Sequence, residues 1–478
     1  MKSFLTSITL LSFLFLSGQS PTNKIFTEFL KHKALKNASI SFYVYNLTDN
    51  NAIINHNGDL ALIPASSLKL ITTATALEIL GENHRFTTTI SYSGKIENSA
   101  LNGNLFIKGG GDPALGSHRY RSYYGAFLSN WSTSIKALGI DSINGKIIAD
   151  ASIFDNEVPP TWIWQDLGNY FGAGANGLSI YENFYTLALS SKNEAQKTTI
   201  SQINPHIPFL SIDNNVLGTS TNKDLSFIYG GPFQYNRYIS GEIPKNRSDF
   251  KVKGSIPDPA YLCAYELDSV LKTSGIKVAY HPITKRLLGD SFIEDTTTEI
   301  TSTQSPTLAS LIQQTNLYSI NLYAEHLLNH IGLHIKKEGS TTAGAEALIN
   351  FWKTKGIDTD GMYLYDGSGL SRFNTITTKQ LVSILSEMDK SQHKEVFYNS
   401  LAIAGKSGTL SSIAKGTAAE GKIYGKSGYM TNVRSYSGYI TTNSNKKIAF
   451  AIIVNNYNCS AYEIKKMLEK IMVSLVNE

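Results

Sequence analysis

Cysteine is nearly absent: Cys263 and Cys459 are the only two in 478 residues. They stand far apart in the chain, so we read them as two buried thiols rather than as a disulfide. Charge is sparse too, at 17% of residues, and 43 basic against 38 acidic side chains leave a formal net charge of +5. No basic block gathers that excess, which argues against a nucleic-acid partner. There is no convincing internal repeat. After residue 19 no apolar run approaches the length of a bilayer span. Residues 1–19 carry Lys2, an apolar stretch over 8–16, and then Ser17, Gly18 and Gln19. This is the pattern of a secretory signal peptide, with cleavage expected after Gln19. No cysteine lies near that point, which argues against a lipoprotein anchor. An apolar content of 42% excludes wholesale disorder, and the length suggests two or three domains. The expectation is a soluble, exported protein.

The stretch that organises the chain is Pro64-Ala65-Ser66-Ser67-Leu68-Lys69, which opens an apolar helical run ending at Gly81. Residues three apart share a helix face, so Ser66 and Lys69 come within reach of each other. The run is apolar nearly all round, the pattern of a buried helix, and Lys69 is its anomaly. Desolvation lowers a lysine pKa, and a neutral lysine can take a proton from a serine hydroxyl. The plain alternative is a surface lysine beside an N-cap serine, since S-x-x-K is common by chance.

Around this stretch the pattern predicts a helix over 25–35 and a hairpin of strands 40–45 and 52–55. Short alternating strands follow at 86–92, 103–108 and 145–149. The glycine triplet Gly109-Gly110-Gly111 precedes Asp112-Pro113, which suits a tight turn better than a phosphate cradle. Residues 162–174 are aromatic and hold Asp166; 191–246 are polar and turn-rich. A helix over 258–271, a strand at 276–280, helices over 307–314, 319–334 and 378–388, three strands within 423–454 and a final helix over 462–476 complete the chain.

Two further elements follow the first. Ser319 and Asn321 lie two residues apart at the start of the predicted 319–334 helix. Lys426-Ser427-Gly428 ends a strand, where glycine would let a substrate backbone lie close. Lys406-Ser407-Gly408-Thr409 fits the same pattern. Only Lys426, however, is followed directly by the two strands that would complete a sheet, so we assign the element to Lys426.

S-x-x-K, S-x-N and K-[ST]-G in this order and context resemble the active-site elements of the penicillin-binding protein and β-lactamase fold. The chain is similar to the D-alanyl-D-alanine carboxypeptidase/endopeptidase family, the low-molecular-mass class C penicillin-binding proteins, over nearly all of its mature length. Further stretches carry the likeness: residues 109–115, 256–260, 305–306, 321–325, 366–371 and 404–421. The resemblance implies an α+β serine transpeptidase fold, an antiparallel sheet with helices on both faces and large, mostly β inserted domains. It implies a signal over 1–19, a catalytic domain from 20–92 and 303–478, an inserted domain from 93–190 and 255–302, and a β subdomain over 191–254. It implies Ser66 as nucleophile, Lys69 as base, Ser319 as proton relay and Asn321 as donor to the substrate amide. Lys426 and Ser427 would hold a terminal carboxylate, with Gly428 beside them and the N–H groups of Ser66 and Tyr429 as oxyanion hole. Asp166 matches an aspartate of the inserted domain at the cleft, and Met430 matches a residue flanking the pocket for the substrate side chain. Three departures stand out: Ile320 inside S-x-N, Ser427 in place of threonine, and Tyr429 where a carboxylate-gripping hydroxyl is usual.

The function implied is an exported, penicillin-sensitive serine D,D-carboxypeptidase or endopeptidase acting on peptidoglycan stem peptides, with β-lactams as covalent inhibitors. It needs no cofactor or metal. Peripheral membrane association and a homodimer stay open. A serine β-lactamase would need a dedicated water-activating group, and no Glu stands in the class A context. A wall-binding scaffold that lost turnover is opposed by the intact Ser66, Lys69, Ser319, Asn321 and Lys426. His326, His330 and His334 lie four apart, but neither zinc signature fits, so a polar helix face is expected there.

Overall fold

The computed structural model describes residues 21–292 and 296–478. The expected signal peptide over 1–19 lies outside the described residues. An antiparallel six-stranded sheet draws on both ends of the chain, in the order Ala402–Ile403, Ile423–Met430, Val433–Thr441, Lys447–Asn455, Ser39–Asn46 and Asn51–His56. Its strands are β-branched and aromatic with period-two alternation, and both faces are covered. Phe42, Val44, Phe450, Ile452 and Val454 pack with Phe26 and Phe29 of the helix Pro21–Leu30 and with Ile464, Leu468 and Ile471 of the helix Ala461–Ser474. The alternate residues Tyr43, Ala449, Ala451 and Ile453 face the core of the opposite side, shared with Leu381 and Leu385 of the helix Thr378–Met388. The α+β class and a sheet with helices on both faces are therefore present.

The remaining sheets lie in sequence between the helix Lys69–Leu80 and the helix Leu308–Tyr318. A mixed five-stranded sheet runs Ile283–Thr284, Ile147–Asp150, Leu105–Lys108, Thr87–Tyr92 and Thr298–Gln304. A four-stranded and two three-stranded sheets accompany it. Trp162 in this region donates its indole N–H to the buried Asp366 (2.8 Å), tying it to the part that carries the Lys69 helix.

Several expectations change. The helix predicted over 319–334 begins at Asn321, and Ser319 stands in the left-handed region (φ 59°, ψ 43°) between two helices. The predicted strand at 276–280 shrinks to Lys277–Val278, while the strand Thr298–Gln304 and the helix Thr341–Thr354 were not anticipated. His326 and His330 do not lie on a polar face: both are buried, and each donates a ring N–H to the Gly111 carbonyl (2.9 and 3.0 Å). Burial lowers them to about 4 and about 3, so both are neutral and serve as packing. Cys263 is buried and Cys459 partly exposed, and both are free thiols.

The sheet core sets a testable stability. Phe450 is 1% exposed in the middle of the six-stranded sheet. Phe450→Ala is expected to lower the unfolding free energy by about 3–5 kcal/mol in urea titration.

Candidate active site

Ser66 sits in a 3-10 turn, Ala65–Leu68, which runs directly into the helix Lys69–Leu80. The turn is stitched to the sheet: Ser435 donates to the Pro64 carbonyl (2.5 Å), and the Ser67 and Ser435 hydroxyls bond each other (2.8 Å). Gly428 of the next strand faces this turn, and a Cβ there would lie 2.5 Å from the Pro64 carbonyl and 2.2 Å from Ser435 Oγ. The glycine thus makes room for the protein's own Ser66 turn, a different reason from the one expected. Ser66 itself is half-buried.

Lys69 is fully buried, and its Nζ has three oxygen neighbours: Ser66 Oγ at 3.0 Å, Asn321 Oδ1 at 2.7 Å and the Ser368 carbonyl at 2.6 Å. Burial drives Lys69 down from the ordinary lysine range to about 7, and the charges of Glu325 and Asp366 only partly offset it. A neutral amine keeps two N–H donors and one lone pair. The two carbonyl oxygens can only accept, so they take the two N–H groups. In the neutral form the lone pair then falls on the longest contact, toward the one neighbour with a proton to give, the Ser66 hydroxyl.

The Ser368 carbonyl is aimed by a buried acid that sequence reasoning assigned no role, its carboxyl pushed up to about 8 by burial and by the charge of Asp366. Glu325, 1% exposed on the helix Asn321–Lys336, accepts from the backbone N–H groups of Gly367 (3.0 Å) and Ser368 (2.8 Å). Asp366 closes the same loop by accepting from Gly369 N–H and Asn374 Nδ2. Gly369 (φ +79°) lies so near Ala65 that a Cβ would meet its carbonyl at 2.0 Å. The signal for Glu325 was present in principle, as a lone acid among apolar helix residues.

Lys426 is the second fully buried lysine. Its Nζ donates to Ser319 Oγ (2.8 Å) and the Ser427 carbonyl (2.7 Å). Burial holds it well below the ordinary lysine range, with the charges of Lys69 and Arg434 adding to the effect. Lys406 is exposed in a turn, which separates it from Lys426. Hydrogen bonds thus join Ser66, Lys69 and Asn321 in one set and Ser319 and Lys426 in a second, and the two sets meet where Ser319 and Asn321 stand two residues apart. Along the strand Ile423–Met430, Ala402–Ile403 pairs only with Gly425 and Tyr424, so among the described residues no strand pairs with that edge from Lys426 to Met430. Such an edge can accept an extended peptide.

The remaining candidates lie on the Lys426 strand or in the segment that follows Trp162. Ser427 and Met430 are half-buried on that strand, and Tyr429 is 55% exposed with the Arg434 guanidinium over its ring. Asp166 lies in the short helix Trp164–Leu167; burial raises its carboxyl and Arg372 works against that. Its segment reaches the centre by backbone, since the Phe171 carbonyl accepts from Asn321 Nδ2 (2.8 Å).

Comparison with known proteins adds to this geometry. The sequence profile of the D-Ala-D-Ala carboxypeptidase 3 (S13) family matches residues 23–477. A D-alanyl-D-alanine carboxypeptidase of Actinomadura sp. (strain R39) is 25% identical over 442 residues, 90% of this chain and 80% of that protein. The D-alanyl-D-alanine carboxypeptidase DacB of Haemophilus influenzae is 25% identical over 450 residues, 91% and 89% of the two chains. Among solved structures, penicillin binding protein 4 from Haemophilus influenzae superposes with a TM-score of 0.79 at 22% identity, covering 93% of this chain and 97% of its own. That likeness is one of fold.

Two outcomes follow from the lysine's surroundings. The sign is fixed by a depressed pKa: Lys69 is mostly protonated below about 7 and mostly neutral above it. The rate of Ser66 acylation by benzylpenicillin, followed by stopped-flow, is therefore expected to climb as pH rises through that value and then to level. Glu325→Ala would strand two buried N–H groups, each worth about 1–3 kcal/mol. It is expected to lower Tm and slow acylation together, read by thermal melts and the same assay.

Proposed function

The chain belongs to the D-Ala-D-Ala carboxypeptidase 3 (S13) family, and on that premise we propose that it is an exported serine-type D,D-peptidase of peptidoglycan. The observation that carries the reading is the fully buried Lys69 amine, whose Nζ lies 3.0 Å from the Ser66 hydroxyl oxygen. Ser66 Oγ attacks the carbonyl between two D-residues while Lys69 takes its proton, giving a tetrahedral oxyanion held by the N–H groups of Ser66 and Tyr429. Collapse expels the D-amino leaving group, which receives its proton through Ser319. An acyl-enzyme on Ser66 remains, and water then releases it. Asn321 holds the substrate amide on the acyl side.

Lys426 and Ser427 take the terminal carboxylate. An incoming anion would restore the ammonium form of Lys426 that burial disfavours in the free site, so carboxylate binding and proton uptake are coupled there. Tyr429 keeps the backbone donor but lacks the hydroxyl position of its usual counterpart, which places more of the carboxylate grip on Ser427. Asp166 and Met430 border the pocket for the substrate side chain. The open strand edge also fits a longer, cross-linked peptide, so cleavage of D-peptide cross-links belongs to the same reading. Penicillins would acylate Ser66 as mimics of the D,D-peptide.

Intact-mass spectrometry with benzylpenicillin tests this assignment. A persistent adduct on the native chain and none on Ser66→Ala is the expected result. A short-lived adduct with rapid drug hydrolysis would favour the β-lactamase reading, and no adduct would favour a wall-binding scaffold. Ser319→Ala is expected to slow peptide turnover by about 10²–10⁴-fold, measured as D-alanine release, if its hydroxyl carries the proton.

A further inference from the structure

We propose that Trp164, Tyr229 and Tyr238 form a binding platform for an uncharged N-acetylated glycan, the sugar strand to which the peptide substrate is attached. The proposal rests on the reading that the cleft acts on peptidoglycan. Of the four tryptophans, Trp131, Trp162 and Trp352 are 5% exposed or less, whereas Trp164 is 56% exposed. Its ring lies 6.3 Å from that of Tyr229, which lies 5.9 Å from that of Tyr238. The rings turn by 34° and 45° from one to the next, so together they offer a curved apolar surface.

The surroundings of the row select its ligand. Tyr229 and Tyr238 are cross-strand partners in a three-stranded sheet, and the strand Asn236–Pro244 alternates Asn236 and Tyr238 outward with Arg237 and Ile239 buried. In the neighbouring strand Asp213 stands opposite Tyr238 and Asn215 opposite Ser240. The rings are thus bordered by amide, hydroxyl and carboxylate groups, and these outward positions hold no lysine or arginine. Lys197 reaches the border only by donating to Asn215 Oδ1. A pyranose presents C–H faces that lie on aromatic rings, while its hydroxyl and N-acetyl groups need hydrogen-bond partners at the edge. Tyrosine and tryptophan meet both needs, being apolar in body and polar at one end. An anionic membrane surface would instead call for basic residues around the aromatics.

The row is also tied to the catalytic centre through one segment. Asn169, in the Trp164 segment, accepts from the Ile228 N–H (3.0 Å) and donates to the Ile228 carbonyl (3.2 Å), fixing that segment to the strand of Tyr229. Two residues on, the Phe171 carbonyl holds the Asn321 amide. A single short segment therefore joins the platform to the catalytic centre, so a glycan seated on the rings would lie beside its own peptide.

The test titrates the intact protein with the N-acetylglucosamine tetramer while following tryptophan emission. A saturable change is expected, because the one exposed indole is in the row. It should vanish in Trp164→Phe, and the affinity should fall about tenfold in Tyr238→Ala, whose folding is checked by circular dichroism. Correspondingly, Tyr238→Ala should lose about ten times more activity on glycan-bearing wall fragments than on the free peptide. No emission change, or equal losses on the two substrates, would overturn the proposal. Acylation of the native chain by benzylpenicillin is scored separately. Its failure would remove the peptidase reading without altering the sugar titration.

Discussion

The burial of the Lys69 amine is the constraint on which the rest of the site depends. A cation with no exposed surface either finds full compensation or gives up its proton. Here the compensation is deliberately partial: two carbonyl oxygens occupy the N–H groups, and the acids Glu325 and Asp366 act on the amine at one remove, through the loop that carries the Ser368 carbonyl. Stronger pairing would keep the ammonium and remove the base. Weaker pairing would leave buried donors unsatisfied. The position of the loop therefore sets the chemistry of the serine.

The same logic places strain where the site needs it. Ala65 (φ 47°) and Ser319 (φ 59°) are non-glycine residues in the left-handed region, each at a cost of about 1–2 kcal/mol. The first precedes Ser66, and the second turns a hydroxyl toward Lys426 between two helices. Hydrogen bonds from Ser435 to Pro64 and the tight fit of Gly369 and Gly428 against the Ser66 turn hold the first. Lys426 ties down the second. The centre is thus assembled from three separated parts of the chain, each pinned to another.

What the sequence made legible was local. Ser66 and Lys69 share one turn, and covalent geometry puts them together whatever the rest of the chain does. The choice of Lys426 over Lys406 was legible from strand order, and the structure distinguishes the two by burial and by the bond to Ser319. Long-range consequences were not legible. The room at Gly428 is used by the Ser66 turn rather than kept for substrate, because the two segments meet only in the fold. His326 and His330 look like a polar stripe until the Gly111 carbonyl is placed against them. The left-handed break at Ser319 hides inside a continuous helical pattern, since nothing in the residue type announces it. The family profile over residues 23–477 and the shared fold agree with the order of the motifs.

The most direct test is the ionisation of Lys69 itself. Carbon-13 NMR of lysine labelled at the ε-carbon, assigned by Lys69→Arg, would report its titration in the free protein. The account predicts a midpoint near the value of about 7 that burial imposes. A midpoint in the ordinary lysine range would contradict it, because Lys69 would then be an ammonium at neutral pH and could not take the proton of Ser66.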